Sequence, residues 1–280
     1  MDYLCIGHVC QDVSGKGYIL GGSVSYCSHF ARLLGKKVGI LTSFGRDFKF
    51  NKQFKGKNIH CKKSKTTTIF ENVYTKKKRT QYLHQRAVPL KAKDIPEKWR
   101  DAPLVHLAPI ANEIAPSVIK AFSKDTLIAA TPQGWMRKWD KKKGKVSPRK
   151  IDWKKLKGID IIILSDEDLG GVQTVPTTLT DLFEVVVLTR GSKPALVYSN
   201  GKCLESPVYE TNVLDPTGAG DSFATGFLLK YQETRNLSKA MSFGHVLASV
   251  CIGHKGLIGE FKPKKIKKRY FRHRKLSKRK

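Results

Sequence analysis

Apolar positions along this chain fall into two periods. Short continuous apolar runs at Asp2–Val9, Val38–Phe44, Leu104–Leu107, Thr126–Ala130, Ile159–Leu164 and Glu184–Thr189 have the length of buried strands. Helical spacing separates them at Gly22–Leu34, Ile114–Phe122, Thr177–Phe183, Asp221–Gln232 and Leu237–Cys251, the last two being the final helices expected. Strands alternating with helices predict an α/β fold, a doubly wound, mostly parallel sheet with helices on both faces. Three segments do not fit inside such a sheet. Asn58–Cys61, Thr66–Tyr74 and Thr80–His84 alternate polar and apolar residues, as half-exposed antiparallel strands do, and a basic turn at Lys76–Arg79 joins the last two. They predict a small β lid. Ala195–Tyr198 and Lys202–Pro207 flank Ser199-Asn200-Gly201, a hairpin turn sequence.

Length and composition narrow the class. The 280 residues allow one large α/β domain, and 40% hydrophobic content is enough for a core. No apolar run approaches the roughly 20 residues of a membrane span. The start Met1-Asp2-Tyr3-Leu4 has no basic n-region, so no secretory signal is expected. The six cysteines have no paired spacing and read as reduced, mostly buried thiols of a cytoplasmic protein.

Charge pulls the other way. The 53 Lys and Arg against 23 Asp and Glu give a net charge of +30, which invites a nucleic-acid partner. Yet 40 of those cations are Lys and 13 Arg, a Lys excess unlike that of sequence-specific DNA readers. Lys264–Lys280 holds 11 of them in 17 residues with no acid. The expectation is a domain over residues 1–262, with lid strands near 13–20 and 58–84, followed by a basic C-terminal tail over 263–280. That tail would be separable from catalysis and would bind polyanions weakly and without sequence preference.

The stretch richest in chemistry is Leu214-Asp215-Pro216-Thr217-Gly218-Ala219-Gly220-Asp221-Ser222-Phe223. A turn of small residues runs straight into a helix. Backbone N–H groups at a helix N-terminus favour an anion, and a carboxylate beside them can take a proton from an attacking hydroxyl. Phosphoryl transfer needs this pairing. A lone Gly-x-Gly-Asp also reads as an Asp N-cap after a Gly turn. No Gly-x-x-x-x-Gly-Lys-Ser/Thr is present, which disfavours the P-loop solution.

The whole string resembles the second signature of the ribokinase-like (PfkB-type) carbohydrate kinases, Asp-Thr-Thr-Gly-Ala-Gly-Asp-x-Phe, with Pro216 its one departure. Leu20-Gly21-Gly22-Ser23 is similar to the family's first signature. Gly7-His8-Val9-Cys10-Gln11-Asp12 resembles its opening strand, and Thr189-Arg190-Gly191 its phosphate-contacting Thr-x-Gly. The four occur in family order over nearly the whole chain. The resemblance implies a ribokinase-like fold and ATP-dependent transfer of the γ-phosphoryl group to a hydroxyl of a small polyol or sugar. It implies Asp221 as base and Gly218, Ala219 and Gly220 as anion hole. Thr189, Gly191, Asp215 and Thr217 fall to the nucleotide, and Asp12, Gly21, Gly22 and Gln133 to the acceptor. Asp168 falls to Mg²⁺, standing where the family's Asn-x-x-Glu has Glu, in Ser165-Asp166-Glu167-Asp168.

Short stretches, including Leu41-Thr42-Ser43-Phe44 and Gln133-Gly134-Trp135, resemble the myo-inositol kinase branch. Tyr26 replaces a sugar-contacting Asn and Pro194 a second Gly, which bears on the acceptor more than on the reaction. A nucleoside or phosphorylated sugar is the alternative acceptor, and Lys or Arg lining the lid cleft would favour the anionic one. A non-catalytic kinase-like protein binding nucleic acid through its basic surface and tail is the alternative of another class. His8, His84 and His106 read as core or lid histidines. The protein is expected as a monomer or homodimer.

Overall fold

The computed structural model describes residues 1–75, 78–257, 259 and 261–277. The chain divides into two units, Met1–Ser25, Val38–Thr126 and Pro132–Leu156 forming the first, and Tyr26–Lys37, Leu127–Thr131 and Lys157–Lys280 the second.

In the first unit, β1 (Tyr3–Ile6) is buried along its whole length. It pairs in parallel with β4 (Val38–Phe44) on one side and β8 (Leu104–Leu107) on the other. Continuous apolar runs mark such strands because helices cover both faces of a parallel sheet. β2 (Cys10–Ser14) and β3 (Gly17–Gly21) form a hairpin, and β6 (Thr68–Thr75) and β7 (Lys78–Gln85) another. They join through β2 and β6 into a four-stranded sheet of order β3-β2-β6-β7. The lid expected over 58–84 is corrected at its start. β5 (Asn58–Lys63) pairs in parallel with β4 and belongs to the main sheet. As an edge strand it alternates exposed and half-buried residues, so its pattern imitates a lid strand. The basic turn expected at Lys76–Arg79 lies partly outside the described residues.

The one-turn helix α2 (Asn51–Phe54) buries Phe54. The helix expected over Ile114–Phe122 is a 3-10 turn, Pro116–Ala121, because the Pro start and six-residue length leave no room for stable α-helix. A further hairpin, β10 (Arg137–Trp139) with β11 (Val146–Pro148), reaches β7 through Leu83 N–H donating to Gly144 O at 2.9 Å.

α1 (Ser23–Leu33) starts in the first unit and continues in the second. There β9 (Leu127–Ala130), β12 (Ile161–Ser165) and β13 (Val185–Arg190) run parallel. α3 (Thr177–Thr180) is only four residues of the predicted Thr177–Phe183. β14 (Lys193–Ser199) and β15 (Lys202–Ser206) add an antiparallel edge, turning through Asn200 and Gly201 at φ 50° and 70°, as the sequence predicts. α4 (Ala219–Thr234) and α5 (Leu237–Ile252) follow, α5 capped by Asn236, whose side chain accepts from Lys239 N–H at 2.9 Å.

They are not the last helices. The basic segment folds into α6 (Pro263–Ser277), with Ile266 buried among Phe30 of α1 and Phe243, Val246, Leu247 and Val250 of α5. Its composition hides an apolar stripe at helical spacing. Lys278–Lys280 lie outside the described residues. No described helix is long and apolar enough to cross a membrane.

Candidate active site

The loop before α4 is built around one conformation. Gly218 sits at the N-cap with φ 79° and ψ 4°, in the left-handed region that glycine enters without strain. A β-carbon there would run into the Tyr26 ring. Tyr26 is almost fully buried, and its ring packs against the loop at Gly218. Asp215 braces the loop's start by accepting from Thr217 N–H at 2.9 Å and Gly256 N–H at 3.0 Å. These two contacts give Asp215 a loop-holding role.

Asp221 stands in the first turn of α4, half-buried. Among the expected anion-hole donors, the Ala219 N–H already donates to Pro216 O at 3.2 Å, which closes the turn. The helix's own bonding begins with Ser222 N–H to Gly218 O at 2.9 Å. The N-terminal donors of α4 and its dipole favour negative charge here. Cys251 Sγ–H donates to Thr217 O at 3.5 Å, and Cys27 Sγ–H to Asp221 O at 3.6 Å. Burial, helped by the Asp221 and Asp215 carboxylates, pushes the Cys251 thiol up to about 12. The thiol therefore stays neutral and brings no anion next to the Gly218 turn. Sequence reasoning passed over both cysteines, whose only signal was an apolar helical position.

Thr189, next to last in β13, is in register with Ser165 at the end of β12. Its hydroxyl donates to Leu164 O at 3.1 Å, while Gly191 takes φ 58° in an exposed turn. Asp168 Oδ2 accepts from Ser165 N–H at 3.0 Å and from Ser165 Oγ–H at 2.8 Å. Ser165 thus engages one oxygen of Asp168 and fixes its orientation.

Among the described residues, no group of three or more His, Cys, Asp or Glu could hold a metal ion by itself. Mg²⁺ in phosphoryl-transfer sites needs only one or two carboxylates, with water and substrate phosphates completing its shell. Asp168, with Asp166 two residues before it, fits that requirement.

The residues expected to hold the acceptor, Asp12, Gly21, Gly22 and Gln133, lie in the first unit. Gly21 of β3 faces Cys10 of β2, and a β-carbon on Gly21 would run into the Asp12 carboxylate and Cys10 Sγ. Asp12 Oδ1 accepts from Cys10 Sγ–H at 3.3 Å. Gly22 stands over the His8 carbonyl and leads into α1. Gln133 occupies a 3-10 turn, Pro132–Gly134, held by Gly134 N–H to Pro109 O at 2.9 Å. The next residue, Ile110, packs with Cys10, Phe70 and Leu83. The structure therefore gathers Asp12, Gly21 and Gly22 and docks the Gln133 turn on the same unit.

Glu113, which sequence reasoning missed, organises this unit. It is fully buried and accepts from His8 N–H at 2.9 Å, Ile110 N–H at 3.0 Å and Ala111 N–H at 2.7 Å. Its signal was a lone carboxylate among the apolar residues 104–114. His8 Nε2–H donates to Val88 O at 3.0 Å, and its Nδ1 accepts from Thr68 Oγ–H at 2.8 Å. Burial holds its pKa below the ordinary value, with Glu113 opposing that shift. His8 and His106 are core histidines as expected, and His84 pairs with Glu71 on the four-stranded sheet. A cleft of about 280 Å³ beside β7 is lined by Arg86, Trp139, Lys141, Lys142 and Lys143.

The chain belongs to the pfkB family of carbohydrate kinases, whose model matches residues 5–265. It is a phosphotransferase of that family with the α/β ribokinase-like fold. A cytidine kinase of Thermococcus kodakarensis is 26% identical over 87% of this chain and 93% of its own length. A pyrophosphate-dependent kinase of the ribokinase family, solved with a pyrophosphate analog and myo-inositol, superposes with a TM-score of 0.77. It is 24% identical and covers 91% of this chain and 96% of that one. A ribokinase-like protein of E. coli, solved with ATP and Mg²⁺, gives a TM-score of 0.73 at 15% identity, covering 97% and 99%.

Proposed function

We propose that this protein transfers the γ-phosphoryl group of Mg·ATP to a hydroxyl of a small polyol or sugar, with myo-inositol the first acceptor to test. The observation that carries this reading is Asp221 in the first turn of α4, three residues after the left-handed Gly218. The acceptor oxygen attacks the γ-phosphorus, its proton passes to the Asp221 carboxylate, and ADP leaves with the electrons of the broken P–O bond. Backbone N–H groups of the Gly218–Asp221 turn hold the charge on the moving group. Magnesium bound with the nucleotide neutralises phosphate charge, and Asp168 and Asp166 would hold it through water. Asp12, with its second oxygen cleared by Gly21, accepts hydrogen bonds from neighbouring acceptor hydroxyls. Gln133 adds a donor and an acceptor.

A second reading keeps the chemistry and changes the acceptor to a nucleoside or sugar phosphate. The long match to a cytidine kinase supports the nucleoside, and the cleft at Arg86 and Lys141–Lys143 supports an anionic acceptor.

A donor-consumption screen tests both readings. ATP and pyrophosphate would each be offered with myo-inositol, free sugars, sugar phosphates and nucleosides. The expected result is ATP turnover with a free polyol or sugar. Turnover confined to nucleosides or sugar phosphates replaces the first reading with the second, and turnover only with pyrophosphate overturns the ATP assignment.

A further inference from the structure

α6 has two unlike faces. Ile266, Arg269, Tyr270 and His273 recur at helical spacing and form the inner face. Ile266 is fully buried, Tyr270 stands edge-on to Phe243 at 5.1 Å, and His273 Nε2–H donates to Pro207 O at 3.0 Å. Arg269 donates to Ser249 Oγ at 3.2 Å. These contacts fix the helix on α5. The outer face carries Lys264, Lys265, Lys267, Lys268 and Arg272, all exposed, with Phe271 65% exposed among them.

Among the described residues, no carboxylate forms a salt bridge with this outer face. Lys264 and Lys268, and Lys268 and Arg272, are like-charge pairs at i,i+4, which destabilise a helix. Lys264 and Lys265 also sit in the first turn, where the helix dipole disfavours cations and where there is no acidic residue. No acid follows Glu260 in the sequence. An anionic chain laid along the face would relieve both terms. A membrane surface fits less well, because an interfacial helix inserts an apolar face and α6 has spent its own on α5. Phe271, four residues after Lys267 and three after Lys268, shares their side of the helix and offers a stacking surface for an unpaired base.

We propose that the outer face of α6 binds single-stranded nucleic acid, with its lysines on the phosphates and Phe271 stacked on a base. Lys predominance makes the contacts phosphate-directed and independent of sequence.

Fluorescence anisotropy of the full chain with a labelled single-stranded RNA of about 20 nucleotides, in a salt series, tests this. The logarithm of affinity should fall linearly with that of salt concentration, by about 0.7 for each phosphate neutralised. Replacing Lys264, Lys265, Lys267 and Lys268 together with Gln should make that slope shallower by about 2 to 3. Phe271→Ala should lower affinity for the single strand about tenfold and leave the slope unchanged. Kinase turnover should be unaffected by either change. An unchanged slope in the four-lysine variant overturns the proposal. So does duplex binding as tight as single-strand binding with Phe271→Ala silent, or tighter capture by phosphatidylserine vesicles than by the oligonucleotide. If the four-lysine variant misfolds, lysine acetylation of the wild-type chain decides instead. Slower acetylation of Lys264–Lys268 with RNA bound supports the site, and unchanged rates there overturn it.

Discussion

The ring of Tyr26 lies where a β-carbon on residue 218 would have to go, so the turn before α4 and the first helix are fitted to each other at one contact. Two costs await Gly218→Ala. A non-glycine residue in the left-handed region loses about 1–2 kcal/mol, and overlap with the buried ring adds a packing cost of about 1–3 kcal/mol. Tyr26→Ala, a large-to-small change at a buried site, costs about 3 kcal/mol alone. It removes the overlap but not the backbone strain. The double variant should therefore be about 1 kcal/mol or more less destabilised in urea than the two single changes added together. Strict additivity would show that ring and turn do not press on each other.

Asp221→Asn keeps the shape of the first turn of α4 and removes the proton acceptor. Turnover should fall by about 10²–10⁴-fold, the range of general-base contributions, with ATP affinity nearly unchanged. Steady-state kinetics with calorimetric ATP titration separates the two effects. A variant that turns over like wild type would remove Asp221 from the reaction.

Sequence reading went furthest where one physical cause dominates. Burial on both faces makes β1, β12 and β13 continuous apolar runs, and positive φ at Asn200 and Gly201 marks the hairpin turn. Gly218 was legible because both a positive φ and a close approach require glycine there. Patterns failed where two causes look alike. An edge strand and a lid strand both expose one face, so β5 was assigned to the wrong sheet. A Lys-rich composition masked the stripe of Ile266, Tyr270 and His273, so α6 read as a tail. Roles set by tertiary contacts were not legible at all. Nothing in Ser165-Asp166-Glu167-Asp168 says that Ser165 engages an Asp168 oxygen, and nothing near Glu113 names its three N–H donors.

Gly21→Ala tests the proposed acceptor contact of Asp12. The added methyl group meets the Asp12 carboxylate and Cys10 Sγ, and the flexible member of that set is the carboxylate. Displacing it should raise KM for the acceptor about tenfold or more, the effect of about 1.4 kcal/mol of lost binding, and leave KM for ATP within a factor of two. An unchanged acceptor KM would remove Asp12 from acceptor binding.

Buried histidines set the acid limit of the fold. Burial pushes His106 down to about 3 and, with His273 beside it, His245 down to about 3 as well. His106 accepts a hydrogen bond from Tyr3 Oη–H at 2.6 Å, and His245 Nε2–H donates to Ser206 O at 3.1 Å, so both sit neutral in formed bonds. Above pH 6.5 neither state binds a proton, and stability does not depend on these groups. As pH falls below 6.5, the unfolded chain takes up protons that the folded chain refuses, and stability is lost by about 1.4 kcal/mol per pH unit for each histidine. The loss ends near pH 3, where the folded state also protonates. Urea unfolding between pH 6.5 and 4 should show this slope. His106→Leu combined with Tyr3→Phe, which leaves no hydroxyl unpaired, should flatten it by about one proton. A slope unchanged in that variant would mean that His106 is protonated inside the folded protein.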